Sequence, residues 1–567
     1  MKKRVICIML TSLFSLSLLT ACNSGGQDNN QDDMFDDDTD KKDDETSKFT
    51  FKSDGWTAYP IDETVSNENG SMSYEIFVRS FYDSNNDGIG DFRGVAAKLD
   101  YLQSLGIKTV WLMPIHPSPT YHGYDVTDYY AVNPDFGTMD DFDYLVSEAS
   151  KRHIDIMLDM VLNHSSDQHP WFRQSLEDFA NQNAEEGSKA DWYVWTVGQG
   201  KSYKICNGNA YTYEANFEGG MPDFNLDSTA VRAEMEKITK HWIDHGVKGF
   251  RLDAVKYYYT AESKTVEFMD WLEDTAHKYD PNFYMVGECW TSQQIVQRYH
   301  KSKLDSFFNF DSSIAGTSND SIVSLIKRVT KGNAFGNAIE TNEKAIKANN
   351  PNAYSSYFFS NHDMDRISSN LPKENASTAI NVLATMPGTP FIYYGEEILL
   401  KGTRLGTDGS DARRRLPMVW SKNNKTGECE FPEKNRPDLA TNDQVTDGVE
   451  DQLSKPFSTL NAYRYAINVR NKYPVFKHGL FTNITKSLNA NDERLVGYKI
   501  STGDNSTAVV VIHNLSLFAA TMDMPGGMKI AEQLNPSRKL SEVDEQGKLH
   551  IYGGNSVILT YNQDSSK

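Results

Sequence analysis

The sequence contains few cysteines and, beyond its first segment, no long apolar run. Of the five cysteines in 567 residues, Cys7 lies inside the first segment and Cys22 follows it, which leaves Cys206, Cys289 and Cys429. Three widely spaced cysteines give no readable disulfide framework, and they allow at most one bridge. No later stretch of about 20 residues is apolar enough to predict a transmembrane helix. The fold must therefore be stabilised by its hydrophobic core.

Positive charge is also scarce. Lysine and arginine number 57 against 78 aspartate and glutamate residues, which gives a formal net charge of −21 at pH 7. Because such a chain repels phosphates, the composition argues against a nucleic-acid partner and suits a neutral polymer. In contrast, 39% of the residues are hydrophobic and 12% are aromatic. This content is sufficient for a large core and about two or three domains.

The N-terminal residues read as targeting and linker sequence. A basic start precedes an apolar stretch over residues 5–19, which is typical of a signal peptide spanning residues 1–21. The ending Leu-Thr-Ala-Cys resembles the bacterial lipobox, which implies cleavage before Cys22 and a lipid on its sulfur. Residues 22–52 would then form the lipidated cysteine and an acidic tether too polar to order itself. We expect an outward-facing protein of a bacterial cell envelope, extracellular or periplasmic, that contacts the membrane through the lipid anchor only.

From residue 74 onward, short β-branched and aromatic runs alternate with amphipathic helical stretches. The predicted strands span residues 74–79, 109–113, 154–159, 249–253, 283–288, 306–310, 356–360 and 391–395. Apolar strands that alternate with helices indicate a parallel sheet of the α/β class. Eight of them predict a closed (β/α)8 TIM barrel.

Two further domains are predicted around this barrel. The gap between the third and fourth strands is far longer than a βα loop needs, so an inserted domain is expected over residues 163–227. Near the C-terminus, alternating runs such as 508–513 predict an antiparallel β-domain over residues 473–567. The barrel itself would occupy residues 53–162 and 228–472.

Several predicted strands end in a carboxylate, alone or beside histidine. The strand ends read Asp159 followed by Asn163-His164, then Arg251-Leu252-Asp253, Gly287-Glu288 and Asn361-His362-Asp363. The C-terminal strand ends of a barrel share one rim, where catalytic groups of such barrels lie. Buried carboxylates cost several kcal/mol each unless they are compensated, so four at one rim are hard to explain by structure alone. The pattern therefore favours an active site.

Two of these carboxylates fit the chemistry of glycoside cleavage. A retaining glycosidase needs a nucleophile and a general acid/base about 5–5.5 Å apart. Arg251 and Asp253 lie two residues apart on one strand, so both face the barrel interior, where the guanidinium lowers the pKa of the carboxylate. We predict Asp253 as the ionised nucleophile and Glu288, with no cation adjacent in sequence, as the acid/base. Asp363 remains to bind sugar hydroxyls and to stabilise positive charge in the transition state.

These segments, in this order, resemble the signature regions of the α-amylase family of glycoside hydrolases. The resemblance runs from about residue 70 to the end of the chain, and residues 121–129 are similar to lipoprotein amylases of starch-using gut bacteria. It implies the same roles for Asp253, Glu288 and Asp363. It also implies that Tyr124 forms a stacking platform under the sugar at the cleavage site. Three further side chains should contact that sugar or its carboxylate neighbours: His164, Arg251 and His362.

The resemblance implies an α-glucan substrate, a polysaccharide or a maltooligosaccharide. Residues 221–225 resemble a fifth family region, in a form between polymer-cutting amylases and oligosaccharide-acting relatives. Lys256 should contact a sugar on the leaving side, and Asp125 resembles the aspartate that grips terminal glucose in exo-acting relatives. We predict endo-hydrolysis of α-1,4 bonds in starch-like glucans. The alternatives are an α-1,6-tolerant neopullulanase or α-glucosidase, a glucosyl-transfer enzyme, and a non-catalytic glucan-binding lipoprotein.

An acidic loop after the first predicted strand has the spacing of a calcium loop. Its oxygen donors stand at alternate positions, as at the start of an EF-hand loop: Asp83, Asn85, Asp87, the carbonyl of Ile89, and Asp91. Position twelve is Gly94 rather than a bidentate glutamate, so a sensor hand is not expected. Related barrel glucosidases carry this loop, and the resemblance implies a structural Ca²⁺ far from the chemistry.

Overall fold

The computed structural model describes residues 52–53, 56–57, 67–183, 185–197, 203–205, 211–316, 319–404, 411–432, 445, 447–490, 492–534 and 539–561. All of them belong to one compact unit, Phe49–Lys567. The expected signal peptide, the lipidation site Cys22, nearly all of the tether and Cys206 lie outside the described residues. Within these ranges, no helix is long and apolar enough to cross a membrane.

A barrel of parallel strands forms the centre of the described chain. Its eight strands are β1 (Ser73–Ile76), β2 (Thr109–Leu112), β3 (Asp155–Met160), β4 (Gly249–Leu252), β5 (Tyr284–Gly287), β6 (Ser306–Phe308), β7 (Tyr354–Ser356) and β8 (Phe391–Tyr393). Strands β1 to β7 pair in chain order and β8 pairs with β1. One parallel bridge between Phe358 and Phe391 joins the end of β7 to β8 and completes the ring. The predicted (β/α)8 barrel is therefore confirmed, with β7 beginning two residues earlier than expected.

Local sequence explains why the barrel elements form. All four residues of β4 are buried, as expected for parallel strands covered on both faces. The helix before β3 begins with a capping box, in which the Thr138 side chain and Asp141 each accept the other residue's backbone N–H. The α-helices span Phe92–Ala97, Leu99–Leu105, Met139–Ser150, Pro170–Ala180, Thr229–Asp244, Glu262–His277, Gln293–Tyr299, Ile322–Ile326, Gly332–Asn349, Ile367–Asn370, Ala376–Ala384, Val449–Leu453, Thr459–Asn471 and Val475–His478.

Between β3 and β4 the chain leaves the barrel and forms the inserted domain. Three antiparallel strands pair there in the order Trp195–Val197, Tyr211–Glu214, Tyr203–Ile205, beside the helix Pro170–Ala180. Bridges between His164 and Asp223 and between Tyr193 and Phe224 tie the two ends of this segment together. The insertion after the third strand is therefore confirmed, and it stands next to the C-terminal ends of the barrel strands.

The C-terminal region is an antiparallel β-domain, as predicted. Its five-stranded sheet contains Leu480–Asn483, Leu495–Ser501, Ala508–Asn514, Ser556–Tyr561 and Met528–Leu534, in that spatial order. A second sheet contains Ala520–Asp523, Lys548–Ile551 and Glu542–Val543. The helix Thr459–Asn471 is buried along its whole length. It contacts helices of the barrel and also the five-stranded sheet. Cys289 and Cys429 are both buried free thiols, so they do not form the one bridge that the sequence allowed.

Candidate active site

An open cleft of about 710 Å³ lies at the C-terminal ends of the barrel strands. Six of the predicted site residues line it together: Tyr124, His164, Asp253, Lys256, Glu288 and Asp363. Beside them the lining includes Tyr121, His122, Phe217, Glu218, Met221, Ala254, Tyr257, Trp290, Arg404, Asp411 and Arg415. The structure therefore brings residues from the loops after five barrel strands, β2, β4, β5, β7 and β8, and from the inserted domain around one space.

Arg251 lies at the centre of the carboxylate cluster. Its side chain is 1% exposed, and its Nη1 atom lies 2.7 Å from both Asp159 Oδ1 and Asp253 Oδ1. Its Nη2 atom lies 3.2 Å from Glu288 Oε2. Leu252 of β4 pairs with Gly287 of β5, so Asp253 and Glu288 occupy neighbouring positions just beyond the two strand ends. One guanidinium thus holds three carboxyl groups, two of which face the cleft.

The pKa values of this pair differ from the sequence-based expectation. Burial raises the pKa of Asp253 more than Arg251 lowers it, so the expected depression is wrong. Burial likewise raises the pKa of Glu288, against the lowering effect of Arg251. Glu288 has a cation beside it after all, because the register of β4 and β5 places the same guanidinium against both carboxyl groups. What distinguishes them is geometry: Asp253 accepts the 2.7 Å Arg251 bond, whereas Glu288 accepts a 3.0 Å bond from the Ala254 N–H.

Asp363 has a different electrostatic environment. His362 Nε2 lies 3.1 Å from its Oδ2 atom, and Arg415 Nη2 lies 3.1 Å from its Oδ1 atom. Burial raises the pKa of Asp363, but His362 and the arginines outweigh it and hold the pKa well below its usual range. Asp363 is therefore anionic, and its charge contributes to raising the pKa of Asp253 and Glu288. The negative charge of Asp363 therefore favours the state in which Asp253 and Glu288 together carry one proton.

The predicted substrate-contacting residues take different positions. Tyr124 donates from its hydroxyl to Asp159 at 2.9 Å while its ring stacks on His362 with centroids 5.6 Å apart. His164 lines the cleft, and burial lowers its pKa to about 4, so it is neutral. Lys256 donates to the Trp290 carbonyl oxygen at 2.8 Å.

Arg251 and His362 do not line the cleft but contact its carboxylates from below. Asp125 is not brought into the cleft. It is buried in the loop after β2, where its Oδ1 atom accepts hydrogen bonds from Ser118 at 2.5 Å and from Thr120. Contact of Asp125 with a terminal sugar stays a prediction; in this arrangement its Oδ1 atom already accepts from local hydroxyl groups.

Sequence reasoning missed several residues of the site. Glu75 of β1 lies 2.5 Å from His362 Nδ1, and a glutamate inside a buried strand was a usable signal. Arg415 belongs to a run of three arginines, and the sequence gives no indication which of them faces Asp363. The cleft rim also has three exposed aromatic side chains, Phe217, Tyr257 and Trp290, at 42%, 37% and 41% exposure. Exposed aromatic faces of this kind can stack on sugar rings.

The acidic loop after β1 is closed by hydrogen bonds of its own. Asp83 accepts three backbone N–H groups, from Asn85, Asn86 and Gly88, and Asp91 accepts the N–H of Gly94. Asp87 and Asn85 each accept one further loop N–H. Oxygen donors suit Ca²⁺. However, no group of three or more His, Cys, Asp or Glu side chains in the described part of the chain is arranged to hold a metal ion. Calcium at this loop stays a prediction.

The family model described as "Alpha amylase, catalytic domain" matches residues 75–479. This match spans most of the chain, and it covers the barrel from the middle of β1 onward and every carboxylate of the cleft. The chain therefore belongs to the α-amylase family of glycoside hydrolases, as its motifs predicted, and it is a glycoside hydrolase that acts on α-glucans.

Individual relatives agree with this assignment. The chain is 34% identical to Alpha-amylase 3 of Dictyoglomus thermophilum, covering 81% of this chain and 87% of that protein. It is 28% identical to Alpha-amylase SusG of Bacteroides thetaiotaomicron, covering 89% and 93%. Among solved structures, Eubacterium rectale Amy13B superposes with a TM-score of 0.81 at 33% identity, covering 88% of this chain and 97% of that one. Other relatives are named oligo-1,6-glucosidase and 4-alpha-glucanotransferase.

Proposed function

We propose that the chain hydrolyses α-1,4 bonds within starch-like α-glucans and retains the configuration of the anomeric carbon. The observation that carries this proposal is the placement of Asp253 and Glu288 at adjacent strand ends, on one guanidinium, in the lining of one cleft. Two carboxyl groups held close together are what a double-displacement mechanism requires. The relatives named α-amylase support the choice of an α-1,4 glucan.

Each carboxyl group has a defined task in this mechanism. Glu288 donates its proton to the glycosidic oxygen as that bond breaks, and the Asp253 carboxylate attacks the anomeric carbon to form a glycosyl ester. Glu288, now ionised, takes a proton from water, whose oxygen attacks the same carbon and releases Asp253. Asp363, which stays anionic, stabilises the positive charge that develops on the sugar ring in both transition states.

The shape of the cleft supports action inside a polymer. It is open to solvent, and exposed aromatic rings from two parts of the chain stand at its rim. Phe217 of the inserted domain packs edge-on against Tyr257 at 5.0 Å, whereas Trp290 follows β5 and stacks on Phe310 at 4.9 Å. Fixed aromatic faces separated along a cleft can bind several consecutive glucose rings.

A second candidate is an enzyme of the same mechanism with a different bond or acceptor preference. Relatives of similar identity carry the names oligo-1,6-glucosidase and 4-alpha-glucanotransferase, and both reactions fit the same carboxylate pair. Transfer differs from hydrolysis only in whether a sugar hydroxyl or water reaches the glycosyl ester.

Product analysis on soluble starch separates these candidates. Endo-hydrolysis predicts a ladder of maltooligosaccharides whose new reducing ends are initially α-anomers, together with a rapid loss of polymer size. Release of glucose alone, cleavage of isomaltose, or chain redistribution without new reducing ends would contradict the proposal. An Asp253→Asn variant serves as the control, because it keeps the shape of the site but lacks the nucleophile.

We further propose that Cys22 carries the lipid anchor in the bacterial cell envelope, since the lipobox-like ending precedes it. The acidic tether would then hold the barrel away from the membrane surface. In a lipoprotein-processing host, Cys22→Ala should release the protein from the membrane fraction without changing its activity on starch. Retention of the variant in membranes would contradict the anchor.

A further inference from the structure

We propose that Glu75 is a positioning residue of the reaction, which holds His362 as a doubly protonated imidazolium beneath Asp363. Glu75 lies in the middle of β1, is 2% exposed, and places its Oε1 atom 2.5 Å from His362 Nδ1. The histidine is fully buried and does not reach the cleft surface. Its effect on the reaction must therefore pass through the cleft residues that it contacts, of which Asp363 carries the charge.

The hydrogen-bond partners of His362 favour a positive charge on its ring. On one side, Nδ1 faces the Glu75 carboxylate, which accepts. On the other side, Nε2 lies 3.1 Å from the anionic Asp363 and 2.6 Å from the Tyr124 hydroxyl oxygen. Tyr124 uses its only hydrogen to donate to Asp159 at 2.9 Å, so towards His362 it also accepts. With an ionised Glu75, both ring nitrogens face acceptors, and each then carries a hydrogen.

The surrounding charges support this state. Burial lowers the pKa of His362, but Asp363 and Glu75 outweigh it and raise the pKa to about 10. Charged and titratable groups interact with the ring from its own loop, from β1 and β3, from the end of β4 and from the loop after β2: Asp363, Glu75, Asp159, Asp253 and Tyr124. Arg415, from the loop after β8, donates to the backbone oxygen of His362, and Arg251 of β4 contacts the neighbouring Asp159 and Asp253. The ring is held in place by Trp111, whose ring meets it edge-on at 5.7 Å.

The consequence concerns the transition-state carboxylate. Asp363 receives a fixed charge-assisted hydrogen bond from an imidazolium that cannot turn, because Glu75 holds the opposite nitrogen. A neutral histidine in the same place would allow the pKa of Asp363 to rise and would leave the carboxylate free to rotate. Glu75 thus sets both the ionisation and the orientation of a group it never touches.

The test compares Glu75→Gln with a matched control, Glu397→Gln. Glutamine keeps the side-chain shape and can still accept from Nδ1, but it removes the negative charge. Glu397 is an equally buried carboxylate of the same barrel, and its hydrogen bonds go to Tyr74 and Tyr101 rather than to the cleft. Losing one opposite charge at contact distance should lower the pKa of His362 by about 1–3 units.

Two readouts are measured on the full-length chain. In histidine-labelled protein, with the His362 signal assigned by its loss in His362→Asn, wild type and Glu397→Gln should show an imidazolium above pH 8. Glu75→Gln should titrate at lower pH. In kinetics, the kcat ratio of Glu75→Gln to wild type should fall up to about tenfold per pH unit above the new pKa, with KM little changed.

A neutral His362 at pH 7 in wild type would overturn the proposal, since Glu75 would then carry the proton. A kcat ratio that is lowered equally at every pH would also overturn it, because it would indicate a structural role alone. The kinetic readout rests on the proposed function, whereas the titration does not. If the chain cleaved no α-glucan, the titration of His362 would still test its charge state. If Glu75→Gln failed to fold, the spectrum of the wild-type protein would still show whether His362 is an imidazolium.

Discussion

Removing the positive charge of Arg251 should shift the pH range in which the enzyme works. The guanidinium lowers the pKa of Asp159, Asp253 and Glu288, and it does so against the opposing effect of burial. An opposite charge at contact distance is worth about 1–3 pKa units. In Arg251→Gln the pKa of Asp253 would therefore rise further, and a larger fraction of the nucleophile would be protonated at any given pH.

The size and sign of the effect follow from this shift. Asp253 must be ionised to attack, so the acidic limb of kcat/KM should move to higher pH by about 1–3 units, and activity below it should fall about 10- to 1000-fold. Breaking a buried ion network should also reduce the free energy of unfolding by about 3–5 kcal/mol. Because the carboxyl groups would have higher pKa values folded than unfolded, this stability should decline further as the pH rises above about 4.

The assay is kcat/KM for a chromogenic maltooligosaccharide as a function of pH, together with thermal unfolding. Arg251→Lys keeps a charge and should move the acidic limb less than Arg251→Gln. Arg470→Gln is the stability control, because Arg470 is equally buried but donates to backbone carbonyls of Ala384, Met386 and Gly388. Arg470→Gln should unfold at a lower temperature than wild type, whereas the acidic limb of its kcat/KM profile should stay at the wild-type pH. An unshifted acidic limb in Arg251→Gln would refute the electrostatic reasoning.

Three further predictions concern the acid/base, the rim and the loop after β1. Glu288→Gln should lower kcat on starch by about 10²–10⁴-fold, and less on substrates with an acidic aryl leaving group; an equal loss on both would contradict its role as proton donor. Trp290→Ala should raise KM for long maltooligosaccharides by about 2- to 10-fold, with maltose-length substrates as the control. A calcium chelator should lower the unfolding temperature of wild type but not of Asp83→Ala, whereas equal curves for wild type with and without chelator would exclude the predicted ion.

The barrel and the inserted domain were predictable because their signals are local. Apolar strands such as β3 and β4 and the helices between them have clear periodicity, and the long gap after β3 exceeds any loop. The carboxylates at the strand ends were likewise predictable, since parallel strands place their C-terminal ends on one rim.

The electrostatics of the site could not be obtained in the same way. Whether Arg251 contacts one carboxylate or three depends on the register between β4 and β5, which the sequence does not specify. The net direction of the Asp253 shift depends on its depth of burial. The bond from Glu75 to His362 joins residues from β1 and the loop after β7, which meet only because the barrel closes. The bonds that Ser118 and Thr120 donate to Asp125 could not be predicted either, because a motif does not show which local hydroxyl groups face a carboxylate.

The most direct test of the central claim is to trap the glycosyl ester. Wild-type protein would be incubated with a fluorinated α-glucosyl fluoride whose glycosyl ester forms quickly and is hydrolysed slowly. The protein would then be digested, and the masses of its peptides would be measured. The mechanism predicts one added sugar on the peptide that contains Asp253, and none in Asp253→Asn. A label on Glu288 or Asp363 instead, or products released as β-anomers without any trapped ester, would contradict it.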